Sequence, residues 1–249
     1  MVWTVYAPSL LLMLGQGMAL ASIPLYAAEL GANFALIGIA VGADHIGRLF
    51  FNVPAGLLVS HFGQKQTMIV GTIGISALSV ASGAIATLPM FIILGFGMGA
   101  STAIWSISRQ TYIADVVPIG QRGRALSLIG GTGRFATIIG PVSGGFIALA
   151  FGLPAAFYAQ GAIAMITAAL VVIFINQPKD QLPTPDANPV AKRLVGTLAE
   201  HRHDLSTAGA GAIALQLVRN TRQTLIPLWG SMIGLDVASI GSIMSISAI

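Results

Sequence analysis

The chain of 249 residues is 55% hydrophobic and 8% charged, and its mean hydropathy is +0.85. Since soluble domains carry roughly 25% charged residues, this composition excludes an ordinary soluble protein. The net charge of +4 comes from basic residues that stand singly, at helix ends or within apolar runs. They form no continuous basic face, so we do not expect nucleic acid as a partner. The absence of cysteine excludes a disulfide framework and a thiolate metal site.

Apolar runs long enough to cross a bilayer, which takes roughly 20 residues per helix, follow one another along the chain. The complete candidates are 4–30, 34–59, 67–87, 89–113, 125–150, 154–176 and 206–231. An eighth run begins near Val237 and stops at Ile249, which is too short to cross, so we expect the chain to be truncated. We predict an all-α membrane protein. Its parts are a six-helix bundle over 1–176, a cytoplasmic linker over 177–205 and the start of a second bundle over 206–249.

Positive charge is confined to alternate connections between these helices. The connections after helices one, three, five and seven contain no Lys or Arg. Those after helices two, four and six carry the basic residues Lys65, Arg122, Arg124, Lys179, Lys192, Arg193 and Arg202. Because basic loops stay in the cytoplasm, we predict a multi-pass protein of the bacterial inner membrane with a cytoplasmic N-terminus.

The connection after helix six has two further features. Residues 177–189 are rich in Pro, Asp and Asn, which indicates an extended linker. Over 190–204, Leu194 and Leu198 share one helical face, with charged residues around the rest. This pattern predicts either a short amphipathic helix at the membrane surface or a solvated linker with some helix.

The sequence repeats itself at an offset of 203 residues. Residues 23–38 align with 226–241 without a gap, and seven of the sixteen positions are identical. The match retains a proline, two glycines and the phase of a helix, a loop and a second helix. We infer that helix seven is the counterpart of helix one in a second copy of the same unit. The intact protein is then expected to have two six-helix halves in parallel order and about twice 203 residues.

Two connections carry motifs that indicate a family. Residues 56–65, with Gly56, Gly63 and Lys65, resemble the signature that follows helix two in the major facilitator superfamily, and within it in the twelve-helix drug/proton antiporter group. Ser60 stands where the family has an aspartate that helps to close the cytoplasmic side, and Gln64 stands where it usually has arginine. Residues 115–125, which include Asp115 and Arg122, match the loop between helices four and five.

A third motif lies inside helix five. Gly140, Pro141, Gly144 and Gly145 are similar to the motif that marks antiporters in this superfamily. Proline kinks a helix and glycine permits close packing, so together they predict a bend and a seal. The chain departs from the family in helix four, where Ile93 occupies the position of the arginine in the RxxQG motif.

Charged side chains inside the predicted spans need a reason, because each costs roughly 2.5–3.5 kcal/mol at the centre of a bilayer. Asp44 and Arg48 lie four residues apart on one face of helix two and can pair. The pair is either purely structural or a proton-binding carboxylate whose proton affinity depends on Arg48. We expect Arg134 of helix five to belong to this network, His45 to be structural and Arg109 to snorkel to the cytoplasmic surface.

Polar residues of helices one and seven are the candidates for cargo binding. Arg219 and Arg222 lie three residues apart, and no acidic residue of helix seven pairs with them. Arg219 falls opposite Gln16 in the repeat alignment. The resemblance implies that helices one and seven line the cavity, so Gln16, Arg219 and Arg222 would contact cargo, which suggests an anionic or carboxylate-bearing substrate. The arginines can equally pair with acids in the missing helices.

The resemblance implies a secondary transporter that works by alternating access, and we expect proton-coupled efflux of a small organic molecule. Two alternatives stay open: proton-coupled uptake, and a receptor or assembly subunit that transports nothing. The sequence has no metal-ligand cluster and no phosphate-binding loop, so we expect neither an enzyme nor a cofactor. The expected partners are a small-molecule substrate, protons and lipid, and the full-length protein is expected to be a monomer.

Overall fold

The computed structural model describes residues 5–175 and 202–247, with the backbone alone at 126, 202–209, 212, 213 and 219. The first helix, α1 (Ala7–Glu29), consists of two segments, Ala7–Leu20 and Ser22–Glu29, that meet at Ala21. The described helices that follow are α2 (Phe34–Phe62), α3 (Gln64–Ala84), α4 (Leu88–Val116), α5 (Arg122–Phe151), α6 (Leu153–Phe174), α7 (Arg202–Met232) and α8 (Val237–Ile246). The fold is therefore the all-α membrane architecture that the sequence predicts.

Hydropathy separates α7 from the helices before it. Within the described residues, the six helices α1 to α6 are long and apolar enough to cross a membrane. The 31-residue α7 is long enough, at about 46 Å for a rise of 1.5 Å per residue, but it is more polar and does not reach the same hydropathy. Helix ends also differ from the prediction by a few residues. Lys65 and Arg122 lie in the first turns of α3 and α5 and not in loops.

The predicted amphipathic helix over 190–204 lies almost entirely outside the described residues. It stays a prediction, as do the boundaries of the linker. The ten residues of α8 lie within the predicted eighth run.

The six membrane helices pack as neighbours in the order α2, α4, α3, α6, α1 and α5, and α8 packs against α5. Glycines allow the closest of these approaches. A side-chain carbon at Gly47 of α2 would lie 2.0 Å from the Phe96 carbonyl oxygen of α4, and one at Gly99 would lie 1.9 Å from the Asp44 carbonyl oxygen. The backbones of α2 and α4 are therefore in direct contact at Asp44, as small residues permit between helices in lipid.

The two copies of the internal repeat adopt the same turn. Gly31 and Gly234 both have positive φ, 84° and 79°, which glycine adopts without strain. Each glycine is followed two residues later by a helix cap. The side chain of Asn33 accepts a hydrogen bond from the Leu36 amide at 2.9 Å, and Asp236 accepts one from the Ser239 amide at 2.6 Å. The repeat seen in the sequence is thus present in the backbone as well.

Candidate functional site

A cavity of about 960 Å³ is lined by residues of all eight described helices, α1 to α8. This volume is suited to a small organic molecule, since ligand pockets measure roughly 300–1,000 Å³. Its charged lining residues are Asp44, Arg48, Arg134 and Arg222. Its other lining side chains include Met13, Gln16, His45, Phe91, Met98, Phe157, Gln160 and Gln216.

The predicted pair on α2 is formed at the wall of this cavity. Arg48 Nε lies 2.8 Å from Asp44 Oδ2, and the two side chains are 42% and 19% exposed. The N–H of that Nε does not point at the carboxylate, so the contact is an ion pair without a hydrogen bond through this atom. Because Asp44 lies where α2 touches Gly99 of α4, the backbone under the carboxylate is held firmly while its side chain faces the cavity.

His45 is closer to this pair than the sequence suggests. Its Nδ1 lies 4.0 Å from Asp44 Oδ2 and 3.4 Å from the Val41 carbonyl oxygen. The ring also lines a second groove of about 330 Å³ between α2 and α7. Its expected structural role stays a prediction.

Arg134 lines the same cavity but is not joined to the α2 pair. Among the described residues no ion pair or hydrogen bond connects Arg134 to Asp44, and its side chain is exposed. The cavity therefore brings the three predicted coupling residues together around one space, with a direct contact only between Asp44 and Arg48.

The predicted cargo residues are placed unequally. Gln16 lines the cavity and donates a hydrogen bond through Nε2 to Thr102 Oγ1 at 3.2 Å. Arg222 also lines it and donates through Nη1 to the Ser247 carbonyl oxygen. The side chain of Arg219 lies outside the described part of the chain, so whether it faces Gln16 stays a prediction.

Arg109 is absent from the cavity lining given above and lies near the end of α4. Its Nε is buried and has no hydrogen-bond partner among the described residues. The side chain as a whole is half-buried, which is compatible with the predicted snorkelling.

The helix-five motif forms a junction of three helices. A side-chain carbon at Gly144 would lie 2.0 Å from the Met18 carbonyl oxygen of α1. One at Gly145 would lie 2.7 Å from the Val237 carbonyl oxygen of α8. Pro141 lies inside α5 and lines the cavity. The glycines therefore pack α5 against α1 on one side and against α8 on the other.

The other two motifs meet at one end of the bundle, which we call the basic end. The Gln64 side-chain amide at the start of α3 donates to the Asp115 carboxylate at the end of α4. Lys65 Nζ donates to the Val172 carbonyl oxygen of α6 at 2.9 Å. Arg122 donates to the Val117 carbonyl oxygen at 3.1 Å. The connections that follow helices two, four and six therefore lie at the same end of the bundle, as the predicted charge pattern requires.

The residues of the signature that follows helix two differ in what they contact. Gly63 has φ of 80° and forms the one-residue connection between α2 and α3. A side-chain carbon at Gly56 would meet nothing within 4 Å, so packing does not require glycine there. Ser60, which replaces the family's aspartate, donates to the Leu57 carbonyl oxygen of its own helix at 2.8 Å. The hydrogen bond from Gln64 to Asp115 joins α3 to α4 here.

Sequence reasoning missed Gln160 of α6. This side chain is 5% exposed, yet it lines the cavity and contacts residues of α3 and α4. A glutamine in the middle of an apolar span is a visible signal, because a neutral amide buried there also needs hydrogen-bond partners. Among the residues that the structure describes, no group of three His, Asp or Glu side chains could hold a metal ion.

The sequence from residue 8 to 249 matches the family model of the Major Facilitator Superfamily. The chain is 26% identical over 163 residues to Multidrug resistance protein MdtL of Shewanella oneidensis, covering 66% of this chain and 41% of that protein. It is 26% identical over 181 residues to Quinolone resistance protein NorA of Staphylococcus aureus, covering 72% and 46%. A solved D-xylose-proton symporter shares the fold, with a TM-score of 0.70 and 17% identity over 97% of this chain and 64% of that one. The chain thus spans less than half the length of these curated relatives.

Proposed function

Because this chain belongs to the Major Facilitator Superfamily, we propose that the protein works as a proton-coupled carrier that exports a small organic molecule by alternating access. The observation that carries the proposal is the Asp44–Arg48 ion pair at the wall of a membrane-embedded cavity. Asp44 can exchange a proton there, and the same space is large enough for cargo. The names of the two curated relatives, which concern resistance to drugs, support export.

The coupling follows from competition for one carboxylate. Ionised Asp44 offers an acceptor to Arg48 or to a basic or hydrogen-bond-donating group of the cargo. Once Asp44 binds a proton, that attraction is lost and Arg48 must find another partner. A cargo molecule that needs the ionised carboxylate therefore leaves when the proton arrives. Proton and cargo then occupy the site in turn, which is the requirement for exchange.

Arg134 and Arg222 favour a second candidate, proton-coupled uptake of an anion. Both line the cavity without an acidic partner among the described residues. An anionic group bound beside them would repel ionised Asp44, and a proton bound to Asp44 would remove that repulsion. Proton and anion would then bind together and move in the same direction. The charge of the cargo therefore decides between exchange and cotransport.

Proton movement in vesicles tests both candidates. The full-length protein is reconstituted in proteoliposomes with a pH-sensitive dye in the lumen, and a fluoroquinolone is added outside as the probe. Exchange makes the lumen alkaline as the probe enters, whereas cotransport makes it acidic, and vesicles without protein give the background. We expect Asp44→Asn to lower the rate of proton movement at least tenfold, because an interaction with a charged group contributes about 1.5–3 kcal/mol.

Glu29→Gln is the matched control, since it makes the same change at an exposed carboxylate at the end of α1. It should leave proton movement unchanged. Proton movement at the wild-type rate in Asp44→Asn would remove Asp44 from the mechanism.

A further inference from the structure

A groove of about 330 Å³ lies between α2 and α7, beside the large cavity. On α7 it is lined by the polar side chains of Asn220, Thr221 and Thr224. On α2 it runs along Gly38 and Gly42, where an added side-chain carbon would meet nothing within 4 Å. A space of this size holds several water molecules, and water needs polar partners such as these. The groove is therefore suited to water.

The groove lies in the part of the bundle away from the basic end. Because α2 ends at the basic end, next to Gln64, it begins at the opposite end with Phe34. Gly38 and His45 lie about 6 Å and about 17 Å along the helix from Phe34, at 1.5 Å per residue. Since the charge pattern predicts a cytoplasmic basic end, the groove lies toward the outer side. A proton-driven exporter takes its protons from that side.

His45 is the side chain that joins this groove to Asp44. Its ring lines both the groove and the cavity. Nδ1 lies 3.4 Å from the Val41 carbonyl oxygen and 4.0 Å from Asp44 Oδ2. Since a carbonyl oxygen can only accept, the contact with Val41 favours the tautomer that carries its proton on Nδ1. Nε2 then has a lone pair, and in the described part of the chain it has no hydrogen-bond partner.

The charged groups around this imidazole leave Asp44 as the receiver of a proton. Arg48 of α2, Arg134 of α5 and Arg222 of α7 line the same cavity, but a guanidinium group does not accept protons. α1, α3 and α4, which pack against α2, contribute no ionisable side chain to the described lining. Asp44 Oδ2 is thus the acceptor within reach of His45.

We propose that His45 relays protons from the groove to Asp44, by a route that does not pass through the cargo space. A proton can then reach Asp44 while cargo still fills the cavity. This role goes beyond the structural one expected from the sequence. It rests on the proposed function, in which Asp44 exchanges a proton.

The relay consists of two proton transfers. Water in the groove passes a proton to His45 Nε2, and the resulting imidazolium gives its Nδ1 proton to Asp44 Oδ2. The products are a neutral carboxyl group and a neutral ring protonated on Nε2. Release of that proton to water, with uptake of another at Nδ1, restores the first tautomer. A rotation of the ring or one water molecule bridges the 4.0 Å between Nδ1 and Oδ2.

The rate at which Asp44 binds a proton tests the relay without any cargo. The full-length protein is held in lipid nanodiscs, and the infrared band of protonated carboxyl groups is followed after a rapid drop in pH. The part of the band that disappears in Asp44→Asn belongs to Asp44. We expect His45→Ala to slow the appearance of this part about tenfold, because a positioned proton carrier is lost while cavity water still reaches Asp44. Imidazole added to the buffer should restore the rate, since it can occupy the space that alanine leaves.

His61→Ala is the matched control, because it removes an exposed histidine from the last turn of the same helix. It should keep the wild-type rate with and without imidazole. A slower rate in His45→Ala that imidazole leaves unchanged, together with a shifted pH midpoint of the Asp44 band, would show a purely structural role and overturn the relay. If His45→Ala does not fold, the rate in His45→Gln decides, because glutamine fills much of the same space but does not carry protons in this way.

The outcomes separate the relay from the proposed function. The wild-type rate in both His45→Ala and His45→Gln overturns the relay and leaves Asp44 as the carboxylate that exchanges protons. A carboxyl band that is the same in the wild type and in Asp44→Asn would mean that Asp44 does not titrate. That result overturns the proposed function, and the relay with it.

Discussion

Gly144 offers a direct test of the packing between α1 and α5. In Gly144→Ala the added carbon would lie 2.0 Å from the Met18 carbonyl oxygen, whereas ordinary contacts begin at 3.4 Å. The two helices must therefore separate by about 1.4 Å, and overpacking of this kind costs about 1–3 kcal/mol. We take about 3 kcal/mol because the obstacle is backbone and cannot rotate away. Alanine regains about 1 kcal/mol through its helix propensity, so the expected net loss of stability is about 2 kcal/mol.

Gly131→Ala is the matched control, because it makes the same change in the same helix where nothing lies within 4 Å of the added carbon. It should raise the free energy of unfolding by up to about 1 kcal/mol. Equilibrium unfolding in mixed micelles, with the fraction of SDS increased stepwise, measures both variants. Equal stability of Gly144→Ala and Gly131→Ala would show that α1 and α5 are not in backbone contact at this point.

Three further predictions concern the ends of the bundle. Hydrogen bonds from the backbone amide of Ser239, and then from its hydroxyl, lower the pKa of Asp236. The Asp236 side chain therefore caps α8 fully at pH values above its unfolded pKa near 3.8, and this stabilisation is lost as the pH falls through the lower pKa of the folded state. Amide hydrogen exchange in the first turn of α8 should therefore become faster below about pH 4 in the wild type than in Asp236→Asn. The variant places at this cap the residue type found at the equivalent Asn33. The same pH dependence of exchange in both proteins would contradict this. Tyr26→Phe, which removes the hydrogen bond from the hydroxyl to the Ile85 carbonyl oxygen at 2.7 Å, should lower the free energy of unfolding by about 1 kcal/mol, whereas Tyr158→Phe, at a side chain that is 43% exposed, should have a smaller effect. Gln64→Leu should cost about 1 kcal/mol by breaking its hydrogen bond to exposed Asp115, more than Gln121→Leu at an exposed position, and equal losses would deny the bond a role.

The sequence predicted those features that depend on local pattern. Apolar run length identified α1 to α6, and the gapless match between residues 23–38 and 226–241 anticipated the paired turns at Gly31 and Gly234. The spacing of Asp44 and Arg48 was enough to predict their contact, because residues four apart on a helix are neighbours whatever surrounds them.

Features that depend on which helices are neighbours could not be read in the same way. Gln160 becomes a cavity residue only because α6 lies against α3 and near α4, where it contacts Ser79 and Met98. Likewise, the partners of Gly144 on α1 and of Gly145 on α8 follow from helix order and not from spacing. The sequence indicated that these glycines would pack closely but held no information on what they would touch.

The contact between α5 and α8 has a mechanical consequence. Gly145 meets the backbone at Val237 and Ala238, and Gly241 meets the backbone at Pro141. The two helices therefore touch here through backbone and glycine, without large side chains between them. Tilting one helix on the other there requires no interlocked side chains to be pulled out. From Pro141 to the start of α5 at Arg122 is about 28 Å of helix at 1.5 Å per residue. A tilt of only about 10° at this pivot moves the far end of that lever by about 5 Å, which is close to the width of two water molecules.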